Sequence, residues 1–431
     1  MARTGGGHLI DLRPLTQSPA FARLWVGTLL GGLGGQLTIT AVMLHMFALT
    51  GSTFAVSMIA VAGLVPMIVA GLCGGMLADH FDRRLVALVA AAIGWSATVL
   101  LAVLAWSGLV NEAWLYALSI ASSAATTVAS ATKAAMTPAL VGTHLIPAAA
   151  ALTGITAGIM VMAGPALGGL LVAAFGYPIT YTIDAVLTLS LFLGIATLPP
   201  LPPEGQTDRP GLRSIIDGLG FLKVAPNIRM QFVLDVIAMT FGQPIALFPA
   251  LGVVLLGGGE VTSGLLMASI AVGVLVSSLF SGRVGSVRRQ GVGIARAIQA
   301  FGLATGLFGL VLLVAELGGR TVDETHPDVA LILLACACLA LTGAADNISA
   351  IFRQTMLQAA VPDAVRGRLQ GIFMVVVAGG PRIGALYTGT LAGIALWFPP
   401  LVGGVAIIVI VAVILRFATR FRAYDAEAPT P

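Results

Sequence analysis

Four ionisable residues lie inside long apolar stretches of the sequence: Asp184, Asp235, Asp346 and Arg382. A charged side chain in hydrocarbon is costly, so such residues usually bind an ion, move a proton or pair with one another. Burial favours the neutral form of a carboxyl group and a nearby arginine favours the charged form, so changed surroundings can load or release a proton. The alternative is a fixed ion pair with Arg382, or a capped polar contact, that only holds helices together.

Four further polar residues in the apolar stretches could contact a small molecule. Gln36 and His45 belong to the first stretch, Gln243 stands beside Pro244, and Asn347 directly follows Asp346. For the first three, packing or a hydrogen bond between helices is the alternative role. His45 also lies near the end of its stretch, where a simple interfacial position would account for it.

The elements that must position these residues are membrane-spanning helices. Of the 431 residues, 58% are apolar and only 9% are charged, whereas a soluble domain carries about 25% charged residues. The apolar runs reach the roughly 20 residues that a helix needs to cross a bilayer, and they lack the short alternating segments of an outer-membrane barrel. We therefore predict an all-α membrane protein with about twelve spans. The predicted spans cover residues 21–48, 53–78, 85–107, 113–136, 146–174, 178–199, 230–256, 262–282, 292–316, 328–352, 368–392 and 397–417.

The basic residues predict how these helices are oriented. With the N-terminus in the cytoplasm, nearly all of the 22 Lys and Arg residues fall in cytoplasmic segments or at their helix ends. This is the distribution that the positive-inside rule describes. Only Arg320 falls in a predicted outside loop. We therefore expect a multi-pass protein of the cytoplasmic membrane with both termini in the cytoplasm.

The chain is predicted to divide into two six-helix halves. The N-terminal half covers residues 1–199, the C-terminal half with a short tail covers 229–431, and a cytoplasmic linker at 200–228 joins them. Within the linker, the apolar residues of Gly211–Lys223 fall on one helical face. We therefore expect a short amphipathic helix that lies along the membrane surface.

Two short sequence matches relate the halves. Lys133–Val141 at the end of span four matches Arg353–Val361 at the end of span ten, 220 residues later. Gly164-Pro165 in span five recurs as Gly380-Pro381 in span eleven, 216 residues later. Two matches at nearly one offset favour an internal repeat, with two pseudo-symmetric halves.

Between spans two and three stands the segment Gly75-Met-Leu-Ala-Asp79-His-Phe-Asp82-Arg83-Arg84. Glycine permits close helix approach, a carboxylate can pair with a helix N-terminus, and the arginines can bridge to nearby acids. These residues could form an electrostatic latch that holds one conformation closed at the cytoplasmic face. The alternative is a solvated run of charges at a helix end.

Span five contains Gly164, Pro165, Gly168 and Gly169. Proline removes a backbone hydrogen bond and permits a kink, while the glycines allow tight packing. Because the chain holds 53 glycines, ordinary glycine-rich packing is the alternative to a functional motif.

These motifs resemble those of the major facilitator superfamily. The segment from Gly75 to Arg84 is similar to the superfamily signature between helices two and three, although His80 replaces a basic residue and Asp82 a glycine. The span-five motif resembles that of drug–proton antiporters, except that Met160 stands where that motif has a glycine. Three further stretches resemble the branch of the superfamily around enterobactin exporters. They are Leu49–Val56, Gly343–Arg353 and Pro362–Arg368.

The resemblance implies the major facilitator fold and outward transport driven by the proton gradient. In this superfamily spans one, four, seven and ten line the cavity, which favours Asp235 and Asp346 as coupling residues. We therefore expect a secondary transporter that exports an amphipathic small molecule, a drug or a siderophore, by proton antiport with alternating access. The alternatives are an importer or facilitator of a small metabolite, or a membrane structural or sensory protein.

Several expectations concern absences and partners. The sequence has no Gly-x-Ser-x-Gly elbow and no His, Cys, Asp or Glu cluster with metal-ligand spacing, so we expect no enzyme activity, cofactor or metal. The expected partners are the small-molecule substrate, protons and the lipid bilayer, and not nucleic acid. Since one chain contains both halves, we expect a functional monomer.

Overall fold

The computed structural model describes residues 11–142, 145–202, 220–280, 287–319, 326–361 and 363–430. The side chains of residues 72, 75, 76, 78, 79, 363–368, 370–375 and 378 are not described. The described residues form helices and connecting loops, and they contain no β-strand. In chain order the helices are α1 Arg13–Gln17, α2 Pro19–Thr50, α3 Thr53–Ala62, α4 Leu64–His80, α5 Arg83–Trp106, α6 Glu112–Val141, α7 Ile146–Ala196, α8 Pro226–Phe241, α9 Phe248–Ala250, α10 Gly259–Ser278, α11 Gln290–Leu317, α12 Val329–Ala360, α13 Asp363–Leu391, α14 Phe398–Phe417 and α15 Thr419–Arg422.

The helices have the length and composition of a multi-pass membrane protein. Among the described residues, nine helical segments are long and apolar enough to cross a bilayer. Predicted spans four and eleven correspond to α6 and α13, which are not among those nine. The all-α membrane fold is therefore confirmed, whereas the count of twelve spans stays a prediction.

Predicted spans five and six both lie within α7, a run of 51 residues in which two helices meet directly at a kink. At about 1.5 Å per residue this is far more than the roughly 30 Å thickness of a bilayer core. The helical backbone breaks at Gly176, where φ is 77° and ψ is 176°. Glycine suits this position because a side chain disfavours positive φ. The break lies between the two predicted spans.

Predicted span seven is irregular in its second part. Helix α8 ends at Phe241, and Pro244 follows, which cannot donate a backbone hydrogen bond. A 3-10 turn at Ile245–Leu247, the short α9 and a π-helical turn at Leu251–Leu255 complete the crossing. The predicted surface helix of the linker falls largely outside the described residues.

Small residues set the close packing of the helices. We call the helices before residue 200 the N-terminal half and those after residue 225 the C-terminal half. In the N-terminal half, a Cβ on Gly27 of α2 would lie 2.8 Å from the carbonyl oxygen of Ser190 in α7. In the C-terminal half, a Cβ on Gly302 of α11 would lie 3.0 Å from the carbonyl oxygen of Gly404 in α14. Close backbone approach of this kind is how apolar helices associate where burial of apolar surface gives no net driving force.

One end of the bundle carries both the first residues of α2 and the C-terminal tail. At one end, which we call the termini side, Ser18 Oγ donates to the carbonyl oxygen of Leu140 at 2.8 Å. In the C-terminal half the same side carries the tail, where Arg288 pairs with Asp425 at 2.6 Å. The opposite end of the bundle is called the far side.

Candidate functional site

The centre of the candidate site is an arginine that two carboxylates share. Arg353 of α12 forms an ion pair through Nη1 with Oδ1 of Asp235 on α8. Its Nη2 lies 3.3 Å from Oδ1 of Asp346, two helical turns earlier on α12. The side chains of Arg353 and Asp235 are 4% and 1% exposed, and that of Asp346 is 36% exposed. A buried pair is therefore in contact with one carboxylate that is partly exposed at the protein surface.

Further polar groups lie on the same helix faces as Asp235 and Arg353. Gln231 precedes Asp235 by one turn on α8, and Ser349 precedes Arg353 by one turn on α12. Both are fully buried. Among the described residues, the side-chain atoms of Gln231, Ser349 Oγ, Asp235 Oδ2 and Arg353 Nε have no hydrogen-bond partner. Buried polar groups without partners are rare and call for an explanation, of which a functional role is one.

The cation that contacts both carboxylates is Arg353, which was not among the site residues predicted from the sequence. Arg382 lies half-buried in α13. Two features of the sequence could have identified Arg353. It follows Asp346 by seven residues, which places both side chains on one helical face. It also aligns with Lys133 in the internal repeat, and Lys133 is a half-buried cation of α6.

Asp184 lies apart from this group, in the N-terminal half. Its side chain is 1% exposed. Thr188 Oγ1 donates to its Oδ1 at 2.8 Å, and Thr98 Oγ1 of α5 donates to its Oδ2 at 3.4 Å. A Cβ on Gly34 of α2 would lie 3.2 Å from the Asp184 Cα. Asp184 therefore connects α5 and α7 where α2 crosses them, with hydroxyl partners.

Of the four predicted contact residues, Gln36 and Gln243 pack against glycines. Gly164 of α7 faces the side chain of Gln36. Gln243 follows the end of α8, and a Cβ on Gly384 of α13 would lie 2.9 Å from its Cβ. The Gln243 carbonyl oxygen accepts a hydrogen bond from Thr388 Oγ1 at 2.7 Å. Both glutamines are half-buried.

His45 and Asn347 have partners within their own halves. His45 stacks on Tyr177, with ring centroids 4.1 Å apart, and its Nδ1 lies 3.2 Å from the Tyr181 hydroxyl. The Asn347 side-chain amide donates to Ser277 Oγ at 2.8 Å and to Ser278 Oγ at 3.0 Å. Asn347 therefore links α12 to α10, while Asp346 beside it contacts Arg353.

The span-five motif contacts two different partners. A Cβ on Gly168 would lie 3.0 Å from Thr40 Cβ on α2, within the N-terminal half. A Cβ on Gly169 would lie 3.0 Å from the Cα of Gly264 on α10, in the C-terminal half. Pro165 contributes its carbonyl oxygen, which a Cβ on Gly264 would approach to 2.7 Å. The motif is thus part of the contact between the halves.

A second contact between the halves lies between α3 and α13. Thr53 Oγ1 donates to the carbonyl oxygen of Gly389 at 3.3 Å. A Cβ on Gly389 would also lie 2.5 Å from Ser57 Cβ. Thr53 begins α3 and Gly389 is near the end of α13, so this contact is on the far side.

Toward the termini side, two glycines of α7 have no close neighbour. Gly158 lies three helical turns before Gly169 on nearly the same face of α7. Among the described residues, no atom lies within 4 Å of the position that a Cβ on Gly158 or Gly154 would occupy. The close contact of α7 with α10 at Gly169 is therefore on the far side, and this face of α7 is open toward the termini side.

The predicted latch residues whose side chains are described form hydrogen bonds with backbone groups of the N-terminal half and of the start of the linker. Asp82 Oδ1 accepts hydrogen bonds from the backbone N–H groups of Arg84 at 2.8 Å and Leu201 at 3.2 Å. Arg83 Nη1 donates to the carbonyl oxygen of Ala135 at 3.3 Å, and Arg84 Nη2 donates to that of Ala196. The arginines thus bind carbonyl groups near the ends of α6 and α7, where the helix dipole favours cations. Gly75 and Asp79 lie in α4, and their side chains are outside the described part.

Known proteins and a family model match nearly the whole chain. A family model described as transmembrane secretion effector, of the major facilitator type, matches residues 11–431. The enterobactin exporter EntS of Shigella boydii serotype 18 is 28% identical over 421 residues, covering 95% of this chain and 96% of that protein. EntS of Escherichia coli O139:H28 is 28% identical over 423 residues, with the same coverage of 95% and 96%.

Two solved structures share the fold. A mutant of the nucleoside transporter NupG superposes with a TM-score of 0.72 at 14% identity, covering 93% of this chain and all of that chain. The xylose transporter XylE from E. coli, in an inward open conformation, superposes with a TM-score of 0.67 at 14% identity and covers 93% of this chain and 96% of that chain. These likenesses establish the major facilitator fold.

Proposed function

The chain belongs to the transmembrane secretion effector family of the major facilitator superfamily, and we propose that it exports an amphipathic small molecule in exchange for protons. The observation that carries this proposal is the buried Arg353–Asp235 pair with Asp346 beside it. The cargo class is a drug or a siderophore, since relatives that align with 95% of the chain are named enterobactin exporters. Only Gln36, His45, Gln243 and Asn347 were predicted to contact cargo, and so few polar groups suit an amphipathic molecule better than a sugar.

Transport is by alternating access. The halves, 1–199 and 229–431, rock around the space between them and expose it to one side at a time. In this structure the halves touch on the far side, at Thr53 with Gly389 and at Gly169 with Gly264. With both termini in the cytoplasm, as the positive charges favour, this is the inward-facing state that loads cargo from the cytoplasm.

Proton coupling works through the sharing of Arg353. While Asp235 and Asp346 are both charged, they hold the guanidinium between α8 and α12. A proton that neutralises the partly exposed Asp346 removes one of the two attractions and leaves Arg353 with Asp235 alone. The arginine can then shift, and with it the packing of α8 against α12. Asp184, which has only hydroxyl partners, is the second acid that can carry a proton.

The latch residues act in the opposite state. Here Arg83 and Arg84 tie the start of α5 to carbonyl groups of α6 and α7, and Asp82 accepts from the backbone N–H groups of Arg84 and Leu201. When the termini side closes, the arginines come within reach of groups of the C-terminal half and hold that state. A single chain contains both halves, the latch and the coupling pair, so the proposed working unit is a monomer in the lipid bilayer.

Transport into everted membrane vesicles tests this function. Vesicles containing the protein are energised so that the lumen is acidic, and a labelled catecholate siderophore or cationic dye is added outside. We expect accumulation in the lumen that a protonophore abolishes. Vesicles with Arg353→Gln protein, present at equal amount, are the matched control. Equilibration without accumulation, insensitive to the protonophore, would instead identify a facilitator.

A further inference from the structure

The C-terminal tail lines an open pocket at the termini side of the C-terminal half. The pocket has a volume of about 500 Å³ and lies between the chain entering α8, the short helix α15 and the residues after it. It is lined by Val224, Pro226, Asn227, Arg420, Ala423, Tyr424, Asp425, Ala428 and Thr430. Because α8 begins at Pro226 and α14 ends at Phe417, the pocket lies where these spans leave the bilayer on the termini side.

Ion pairs, a hydrogen bond and the buried ring of Tyr424 attach the C-terminal tail to the rest of the C-terminal half. Arg288 pairs with Asp425 at 2.6 Å and with Glu427 at 2.9 Å. Asn227 Nδ2 donates to the carbonyl oxygen of Thr430 at 3.0 Å. The Tyr424 side chain is 2% exposed and belongs to the apolar core of the C-terminal half. The tail is therefore part of the folded structure, and the pocket is a built site.

Two buried polar groups of the lining have no partner. The Tyr424 hydroxyl can donate a hydrogen bond and Asn227 Oδ1 can accept one, and neither atom has a partner among the residues that the structure describes. Arg420 adds an exposed guanidinium. The Asp425 carboxylate is already engaged, since the Arg288 guanidinium lowers its pKa and keeps it charged. A ligand that matches this set has an anionic group for Arg420 and Tyr424 and a hydroxyl group for Asn227.

Exposed apolar side chains near the pocket favour a lipid as the ligand. Val224 on the rim is 72% exposed, and Phe417 at the end of α14 is 77% exposed. Exposed apolar side chains beside the end of a span suit contact with acyl chains, and an arginine beside a helix end on the cytoplasmic side suits an anionic head group. We propose that this pocket binds the head group of an anionic phospholipid that carries free hydroxyls, as phosphatidylglycerol does. The phosphate binds Arg420 and Tyr424, and a glycerol hydroxyl donates to Asn227.

Native mass spectrometry of the full-length protein tests the site. The protein is released from nanodiscs containing equal amounts of phosphatidylglycerol and phosphatidylcholine, and the lipid that it retains is counted. We expect preferential retention of phosphatidylglycerol in the wild type. Arg420→Gln should reduce that retention about fivefold, the worth of one basic residue at an anionic membrane surface. Tyr424→Phe, which keeps the buried ring and removes only the hydroxyl, should also reduce it.

The matched control is Arg422→Gln, an exposed arginine of the same short helix that does not line the pocket. Its retention should equal the wild type. Equal retention of the two lipids, or an equal loss in Arg420→Gln and Arg422→Gln, would overturn the proposal. A separate arm compares thermal unfolding in detergent with inorganic phosphate or phosphatidylglycerol added. Stabilisation by phosphate alone to the same extent would identify a free-anion site and overturn the lipid assignment. Because transport is not the readout, these outcomes are independent of the proposed export.

Discussion

Asp235 and Arg353 form an ion pair that solvent hardly reaches, with side chains 1% and 4% exposed, although their helices are separated by more than a hundred residues of sequence. The second carboxylate on the same arginine, Asp346, is 36% exposed. One acid is thus positioned to hold the arginine and the other to exchange a proton. This asymmetry has consequences for stability that can be measured without knowing the cargo.

Asp235→Asn should destabilise the protein far more than Asp346→Asn. The first change leaves a buried guanidinium without its main partner, for which the expected loss is about 3 kcal/mol. The second removes a partly exposed contact, for which the expected loss is about 1 kcal/mol or less. Thermal unfolding in one detergent measures both. Arg353→Gln combined with Asp235→Asn should recover part of the loss, since no unpaired charge is then buried. Equal effects of the two single changes would contradict the asymmetry.

Gly169→Val should prevent closure of the far side. The Gly169 Cα faces Gly264 of the other half too closely for a side chain, so the halves must separate there. Spin labels at Ser107→Cys and Leu317→Cys, in a background without the native cysteines, would report the far-side distance by pulsed EPR. The populated distance should become longer. Gly158→Val is the control, because it lies on nearly the same face of α7 with open space beside it, and it should leave the distance unchanged.

Asp82→Ala should lower stability by about 1 kcal/mol, because the Asp82 carboxylate caps the N-terminus of α5 and also accepts from Leu201. Asp82→Asn keeps an accepting oxygen and should be close to wild type. Thermal unfolding again distinguishes them. If both variants were wild-type-like, the cap would contribute nothing, and the role of Asp82 would lie in the closed state of the latch alone.

The attachment of the tail should depend on pH. Arg288 lowers the pKa of Asp425 below its ordinary value of 3.8. Because the folded-state pKa is the lower one, the contact is fully present above pH 3.8 and is lost as the pH falls through the lowered value. The mobility of a spin label at Ala428→Cys, in a background without the native cysteines, should therefore rise only below pH 3.8. With Arg288→Gln the label should be mobile at neutral pH as well. A label already mobile at neutral pH in the unaltered tail would contradict the ion pair.

The sequence predicts the fold well because the spans depend on a local property. Apolar length and glycine content are visible residue by residue, and they place helices such as α2 and α5 with small boundary errors. Spans five and six are two helices as predicted, but a glycine with positive φ at 176 joins them directly, without a loop. Hydropathy gives no sign of that backbone geometry.

The candidate site is predictable only in part because it depends on pairings between distant segments. Asp235 and Asp346 are identifiable as acids in apolar surroundings, but their shared cation is not. Arg353 lies near a helix end, where arginines are usually solvated, and only its seven-residue spacing from Asp346 marks it. The approach of Gly169 to Gly264 is likewise invisible in a single sequence, since glycines that pack and glycines that face open space look alike.

The most direct test of the account is proton flux through the purified protein in liposomes with a trapped pH dye. A proton gradient is imposed, and a catecholate siderophore or a cationic drug is added. The account predicts substrate-dependent proton movement in the wild type, and its loss in Asp346→Asn and Asp235→Asn proteins that are folded and still bind the substrate. Substrate movement that ignores the gradient, or unchanged proton flux in both variants, would contradict coupling through Arg353 and its two carboxylates.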